Sequence, residues 1–594
     1  MKTSKGDAIF SPGVLFLLEI LPSLIIPPLA LHAVVTLKIS PDLPVTLRGL
    51  LYLSSPLIYA FAYHTFQSIV NAREARRLGA IPVPLAQGKL PGSIDLLRSF
   101  EKDEIEEYCG TPSERLTREY GKIVAIKLLW TNKRVITVEP EHIKSILATD
   151  FPNFIKGPTF IKAAESMLGQ GVFNSDGDMW KFHRSITRPF FTRDRISDFE
   201  NFDRHAGAVI EKMKANFDAG AAIDYQDMVA RFTLDSAAEF LFGISVDSVA
   251  SAPLPVPADG ITSLASADTN NLVKDFAKAF AETQLHICSR HRLGPLWPLL
   301  EFFGDKTAKN MSTLYAFVDP IVKKALQNKR AKKVDAAVGV EETLLAHLVQ
   351  QTDDAAIIRS ELLNILIAGR DTTASTLTFA TYALAMYPNI LQKLRQEILD
   401  TVGTQRQPTF EDVRQMKYLR AVINETLRLF PPVPNDVREA ANSTTLATPN
   451  GPKFYIPAGS VVMYSVLLMH RDPELWGPDS FEFDPERWID SRVQQYLVPN
   501  PFIFLPFNAG PRICLGQFAY NEVSFFLIRL LQNFDRITLA PEAQPPGSLP
   551  PSSWASGGGR RAIERVWPKS HLTLYAEGGL WLRMSSVGDH AAPL

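Results

Sequence analysis

Cysteine is scarce: Cys109, Cys288 and Cys514 are the only three in 594 residues, widely spaced and without a Cys-x-x-Cys pair. So sparse and odd a set excludes a secreted disulfide scaffold and points to a reducing compartment. Charge of one sign is lacking too. The 62 Lys and Arg residues against 63 Asp and Glu leave a net charge of −1, so there is no electrostatic footprint for nucleic acid. Internal repeats are absent, as are flavin and nicotinamide fingerprints. Neither apolar stretch near the N-terminus shows the short core and small-residue cleavage site of a signal peptide. Apolar residues are abundant, at 46% hydrophobic against 21% charged, which is a globular composition with material for a large core. Length alone suggests several domains. The motif positions fit better a single helical domain over 79–594 behind an N-terminal membrane anchor over 1–78.

Two apolar segments open the chain. The first, about Ala8 to Leu37, contains Glu19, Pro22, Pro27 and Pro28, so its early half is expected to make a poor straight helix. The second, Leu51 to Val70, has no formal charge and is flanked by Arg48 and by Arg73, Arg76 and Arg77. It is long enough to cross a hydrocarbon core of ~30 Å. A buried core helix is the plain alternative for each, and whether the first segment spans or lies in the interface stays open. The three arginines favour a cytoplasmic position for everything after them. Ile81-Pro82-Val83-Pro84 reads as a stiff exit linker.

From Tyr120 the β-type residues Ile123, Ala125, Ile126 and then Val135, Ile136, Val138 predict a hairpin through Thr131-Asn132, followed by a helix over Glu139 to Leu147. Most of the chain beyond that helix has helical periodicity. Ser245 to Ala267 and Pro541 to Gly559 are rich in Pro, Ser, Ala and Gly and read as mobile surface insertions. The Lys323-Lys324 to Lys332-Lys333 run reads as a solvated helix face.

Cys514 stands in Phe507-Asn508-Ala509-Gly510-Pro511-Arg512-Ile513-Cys514-Leu515-Gly516, directly before an amphipathic helix. A lone buried cysteine is most often a small core residue. Here a thiolate would feel the helix dipole and a nearby arginine, both expected to lower its pKa. Gly510 and Gly516 let the backbone turn tightly and approach a flat cofactor, and Phe507 can shield the sulfur. The spacing Phe-x-x-Gly-x-Arg-x-Cys-x-Gly resembles the haem-ligating loop of the cytochromes P-450, the haem-thiolate monooxygenases. Other segments answer to the same family in the same order. Trp180 and Arg184 lie one helical turn apart, and both can donate to a carboxylate. Ala368-Gly369-Arg370-Asp371-Thr372-Thr373 lies inside a helical pattern over Glu361 to Pro388. Small Ala368 and Gly369 leave room beside a flat group, while Asp371 and Thr372 set an acid beside an alcohol. Glu425 and Arg428 share a helix face, and Arg487 follows in Asp484-Pro485-Glu486-Arg487-Trp488. Upstream, Thr409-Phe410-Glu411-Asp412 makes a capping-box start.

The resemblance implies a mainly α fold with small β-sheets. It implies haem b on the Cys514 sulfur, with its propionates on Trp180, Arg184 and Arg512 and with Arg438 as the nearest further basic candidate. Thr372 would hydrogen-bond iron-bound dioxygen and Asp371 would help deliver protons. Glu425, Arg428 and Arg487 would form a structural network. The reaction implied is O2-dependent insertion of oxygen into C–H bonds. Electrons would come from NADPH through cytochrome P-450 reductase, with cytochrome b5 as a further candidate donor, at the endoplasmic reticulum membrane with the catalytic domain in the cytosol. The wording of 424–431 and 504–510 resembles fungal alkane and fatty-acid hydroxylases. Val273 to Cys288 and a hairpin over Tyr575 to Leu582 are expected to line the pocket. Aromatic, polycyclic or sterol-like substrates stay open. The rivals are a peroxide-driven isomerase or dehydratase, a non-catalytic haem sensor and a cofactor-free structural membrane protein. Neither of the first two needs the Asp371–Thr372 pair.

Overall fold

A computed structural model describes residues 10–38, 44–128, 133–191, 199–251, 254–255, 257–258, 271–332 and 343–586. The architecture is organised by one long apolar helix. Ala355–Met386 begins at Asp354, whose carboxylate accepts from the amides of Ala356 and Ile357, and it stops before Pro388. Its C-terminal half is buried on every face, as befits a helix hydrophobic all round. Three helices surround that half: Tyr225–Phe242, Lys417–Leu429 and Gln517–Asn533. Phe379 stacks on Phe430 at 4.5 Å and Thr381 donates to the Tyr225 hydroxyl at 2.9 Å. The N-terminal half meets a second apolar core that includes Phe276 and Phe280 of Asn271–Leu293 and Leu314 and Val318 of Ala308–Lys332. Lys323 and Lys324 are exposed on the latter helix, as expected of a solvated face, whereas Lys333 lies outside the described residues.

Fourteen short strands form four small sheets among the described residues. The largest runs β2-β3-β4-β10-β7-β5, with β2 Leu85–Ala86, β3 Ile123–Ile126, β4 Arg134–Thr137, β5 Phe154–Ile155, β7 Asn435–Ala440 and β10 Val461–Ser465. The expected hairpin is β3–β4, antiparallel with Ile123 opposite Thr137; its Thr131-Asn132 connection lies outside the described residues. The helix after it begins at Pro140 and closes in a wider π-type turn, Ser145–Thr149. Further sheets are β1-β9-β8 (Ile81–Pro82, Lys453–Ile456, Thr444–Ala447) and β11-β14-β6 (Phe534–Leu539, Trp581–Ser586, Ile223–Asp224). The fourth is the β12–β13 hairpin, Pro568–Ser570 with Leu574–Ala576.

Three expectations are corrected. The first apolar segment is one continuous helix, α1 (Pro12–Lys38), in spite of Pro22, Pro27 and Pro28, as apolar anchor helices tolerate. Tyr575 to Leu582 is not a hairpin. Gly578 and Gly579 take positive φ and redirect the chain from β13 into β14, which belongs to another sheet. Pro541 to Gly559 is not a loose insertion, because Ala543, Gln544, Ser548 and Trp554 are buried there. Trp554 and Trp581 help wall a separate cavity of about 320 Å³, so Trp581, from the stretch expected to line the pocket, borders this other space. Of 245–267, the described part includes a short helix, Ser248–Ser251, with Val249 buried.

The second segment is α2 (Val45–Arg77), packed on α1. Leu53, Leu57, Phe61 and Phe66 project from it exposed. An apolar surface of that extent fits a membrane anchor.

Candidate active site

The Cys514 loop closes on itself. The Cys514 amide donates to the Phe507 carbonyl at 3.0 Å and the Ile513 amide to the Gly510 carbonyl at 3.0 Å. Two positions require glycine. Gly510 has φ +68°, and a Cβ there would stand 1.9 Å from the Leu147 carbonyl oxygen; on Gly516 it would stand 2.2 Å from the Phe507 ring. Phe507 therefore lies flat on Gly516, with Tyr520 at 5.4 Å beyond it.

Cys514 is exposed, yet what it faces is a protein-walled cleft. Desolvation by that wall pushes its thiol above the ordinary value, outweighing Arg184 and the amides of Gly516 and Leu515, which act the other way. The expected lowering is thus corrected: dipole and arginine are present, but burial wins. Such a thiol becomes a thiolate when a metal ion takes the proton's place.

Cations gather on one side of the cleft. Arg184 donates to the Ile513 carbonyl at 2.6 Å. Arg512 stacks on Trp180 at 4.6 Å and donates to Asp176 and the Ser175 carbonyl, while its Nε is buried without a partner among the described residues. Arg438 is buried beside Asp436 at 2.9 Å, and Lys156 meets the same carboxylate at 3.1 Å. Burial, then Arg438, lowers Lys156 to about 8 and Arg512 to about 10. Asp436 moves the other way. Burial alone would raise it, but Arg438 and Lys156 hold it below the usual carboxylate range. Arg184, Arg438, Arg512 and Lys156 cluster around the carboxylates Asp176 and Asp436. Such a cationic cluster suits a group that carries propionates, and the Arg512 Nε and the Trp180 indole have no hydrogen-bond partner among the described residues. The residues present therefore fit the group.

The central helix opens where the motif predicts. Residues 368–372 are all half-exposed, whereas 373–384 are all buried. At Gly369 an added Cβ would meet only the Ala237 methyl, at 3.8 Å. Thr372 donates its hydroxyl proton to the Ala368 carbonyl at 2.6 Å, leaving its oxygen lone pairs open. Asp371 is turned aside: Arg370 donates to one oxygen at 2.7 Å and Gln284 of the Asn271–Leu293 helix to the other at 2.6 Å. That helix roofs the cleft over the central helix, and the β12–β13 turn closes another wall. There His571 stacks on Tyr575 at 4.7 Å; burial, ahead of the nearby charges of Asp371, Arg370 and Arg292, depresses its pKa.

Glu425, Arg428 and Arg487 meet in full burial. Arg428 makes two hydrogen bonds of 2.8 Å to Glu425, and Arg487 approaches it at 3.4 Å. The Asp484 amide and the Trp488 indole complete its acceptor sites. Arg428 also donates to the His470 carbonyl, and His470 Nε2 accepts from the Leu505 amide at 2.8 Å. The network is thereby joined to the base of the Cys514 loop.

Sequence reasoning missed Lys156, Asp436, Asp176, Gln284 and His571 as members of the site. Gln284 lay inside a stretch expected to line the pocket, and Lys156 precedes a Gly-Pro pair. Asp436 sits two residues from Arg438, whereas Asp176 and His571 carry no local signal, because their partners come from distant segments.

An exposed cysteine on a glycine-bracketed loop with a cationic cluster beside it suits a haem-thiolate protein. The chain belongs to the cytochrome P-450 family: the family description "Cytochrome P450" matches residues 104–556. Similar proteins include Cytochrome P450 52E2 of Candida apicola, 35% identical over 79% of this chain and 88% of the relative. Cytochrome P450 52A10 of Candida maltosa is 38% identical over 70% and 78%, and Cytochrome P450 52-M1 of Starmerella bombicola 37% over 69% and 76%. The chain is a P-450 monooxygenase, and its family implies haem, O2, a redox partner and membrane association.

Proposed function

We propose that this monooxygenase hydroxylates long-chain alkanes or fatty acids at or near the chain end. In this reading electrons come from NADPH through cytochrome P-450 reductase, and the catalytic domain sits on the cytosolic face of the endoplasmic reticulum. The observation that carries the chemistry is Cys514, an exposed thiol on a glycine-bracketed loop beside the cationic cluster of Arg184 and Arg512. The likeness of 424–431 and 504–510 to fungal alkane and fatty-acid hydroxylases, together with two apolar anchor helices, supports a lipid-dissolved substrate.

Haem bound here would supply oxygen activation, for which a thiolate ligand favours O–O cleavage over oxygen storage. The chain's own residues do the rest. Cys514 offers the sulfur. Arg184, Arg512, Arg438 and Lys156 would neutralise the propionates, and the Trp180 indole would donate to them. Thr372 holds its proton on the Ala368 carbonyl and presents an acceptor oxygen to the cleft. Asp371 holds a carboxylate next in the chain, where it can pass protons from the roof side once Gln284 releases it.

Purified protein, reduced and treated with carbon monoxide, should show the thiolate-type Soret band, and Cys514→Ala should lose it. With reductase and NADPH, alkanes or fatty acids should turn over faster than polycyclic aromatics or sterols; the reverse order would refute the substrate assignment. Thr372→Ala should keep the haem but divert electrons to peroxide. Unchanged coupling would remove Thr372 from proton handling.

A further inference from the structure

The catalytic domain grips its own first membrane helix. Ser11 Oγ donates to the Phe302 carbonyl. Gly13 lies so close to Phe302 that a Cβ there would stand 2.4 Å from its Cα. Two turns on, Glu19 accepts two hydrogen bonds from Lys162 Nζ, at 2.7 and 2.8 Å. The ground under these contacts is stiff. Phe302 follows the turn Gly294–Glu301, where the buried Arg290 guanidinium binds Glu301 at 2.7 Å and Asp305 at 2.6 Å and stacks on Trp297 at 4.2 Å. Arg290 also donates to the Ala163 carbonyl and to Ser166, on the helix that carries Lys162. The helix end is therefore seated on a clamped unit.

Glu19 is the single carboxylate of α1. A carboxylate is costly in hydrocarbon, and Lys162 belongs to a domain that cannot enter it. An exposed pair like this contributes little stability; its value is that it marks depth. From Glu19 to Lys38 an α-helix rises about 29 Å, close to the ~30 Å of a hydrocarbon core. His32 Nδ1 meets the Tyr52 hydroxyl at 2.9 Å, which sets the register of α1 against the antiparallel α2. Thr65 then comes level with Glu19, and Arg73 lies about 12 Å further toward the domain. Leu299, Leu300 and Phe303 expose apolar side chains on the gripped turn, a composition suited to lipid.

We propose that α1 and α2 cross the bilayer as an antiparallel hairpin with the N-terminus on the catalytic side. Ser11–Glu19 then lies outside the hydrocarbon as a docking strip on Phe302 and Lys162 that fixes the depth and tilt of the catalytic domain on the membrane.

Full-length protein with an N-terminal epitope tag, in sealed vesicles with the catalytic domain outward, tests the topology. Added protease should remove the tag without detergent; protection until detergent is added would overturn the hairpin. The docking strip is tested by Ser11→Cys with Phe303→Cys in the same vesicles, a pair beside the Phe302 contact that leaves Gly13 intact. A short bis-maleimide should cross-link the two sites, and Glu19→Lys should reduce the yield at least several-fold, with Lys162→Glu restoring it. No cross-link, or a yield indifferent to Glu19, would overturn the docking strip. The carbon monoxide spectrum of the same vesicles reads the Cys514 site independently, so failure of the haem-thiolate reading would be seen separately.

Discussion

Glu425→Gln is the sharpest test of how the cysteine loop is held. Glu425 accepts from Arg428 twice, from Arg487, from the Asp484 amide and from the Trp488 indole, all in full burial. Glutamine keeps the volume, so no cavity is made and the loss isolates charge and acceptor capacity. Burial by itself would raise the Glu425 pKa, but Arg428 and Arg487 hold it below the usual carboxylate range, so the wild-type group is the anion. Its neutral replacement leaves the buried Arg428 guanidinium short of a counter-charge, while Arg487 keeps Asp479 at 3.0 Å, and turns an amide N–H₂ toward donors. Breaking one side of a buried pair costs about 3–5 kcal/mol, a large part of the ~5–15 kcal/mol by which a typical domain is stable. The control is Glu486→Gln next door. Its partner Lys393 is more than half exposed, so the loss should be about 0–1 kcal/mol. Thermal unfolding of both variants, with the carbon monoxide band as a count of haem-thiolate molecules, gives the comparison. If Glu425→Gln falls within about 1 kcal/mol of Glu486→Gln, the network does not hold the loop in this way.

His470 is neutral in the fold, lowered from 6.5 to about 3 by burial and then by Arg428. Between those values the unfolded chain takes up a proton that the folded one refuses. Its stabilising contribution is therefore whole above pH 6.5 and is lost as pH falls toward 3. Unfolding midpoints from pH 7 to 4 should flatten in His470→Gln by up to about 1.4 kcal/mol per pH unit; parallel curves would refute the assignment. Glu522 has the opposite sign. Burial raises it from 4.5 to about 8, against weaker opposing contacts from Ser236 and Thr373, so its contribution is present below pH 4.5 and lost as pH rises through 8. Glu522→Gln should gain on wild type by about 1.4 kcal/mol per pH unit across that window, and a constant difference would show the acid to be ionised throughout. Gly516→Ala must displace the Phe507 ring, at a cost of about 1–3 kcal/mol, and should lower haem content; full occupancy with an unchanged Soret band would mean that the ring is free to move.

Residues whose partners lie within a turn or two were readable from spacing. Glu425 and Arg428 are three apart, Trp180 and Arg184 four apart, and Cys514 is bracketed by two glycines at fixed offsets. Helical periodicity likewise located the central helix, because 3.6-residue patterning is a local property. The β12–β13 hairpin was misplaced by a few residues because Leu574 to Leu582 is apolar on both sides of the Gly578-Gly579 redirection. Alternation alone does not tell which sheet each half joins. Composition failed at Pro541 to Gly559 for a related reason: Pro, Ser and Gly describe an irregular backbone, and an irregular backbone can still be packed when residues such as Trp554 are buried within it.

Asp436 shows why the rest of the site was not legible. In the sequence only Arg438 stood out along this stretch, as a basic candidate. In the fold, β7 sets Asp436 and Arg438 two residues apart along one strand, and Lys156, 280 residues away, closes on the same carboxylate. The acid keeps two buried cations charged and in place. Arg438 alone, desolvated and without Asp436, would be a costly group to bury. That compensation is local, two residues along the strand; it is Lys156 that no local spacing could nominate. Cys514 follows the same logic in reverse. The dipole and Arg184 were inferable from its neighbours, but the desolvation that outweighs them comes from the cleft wall that the distant segments build. The sign of a local electrostatic effect can be read from sequence, whereas which effect wins is decided by burial.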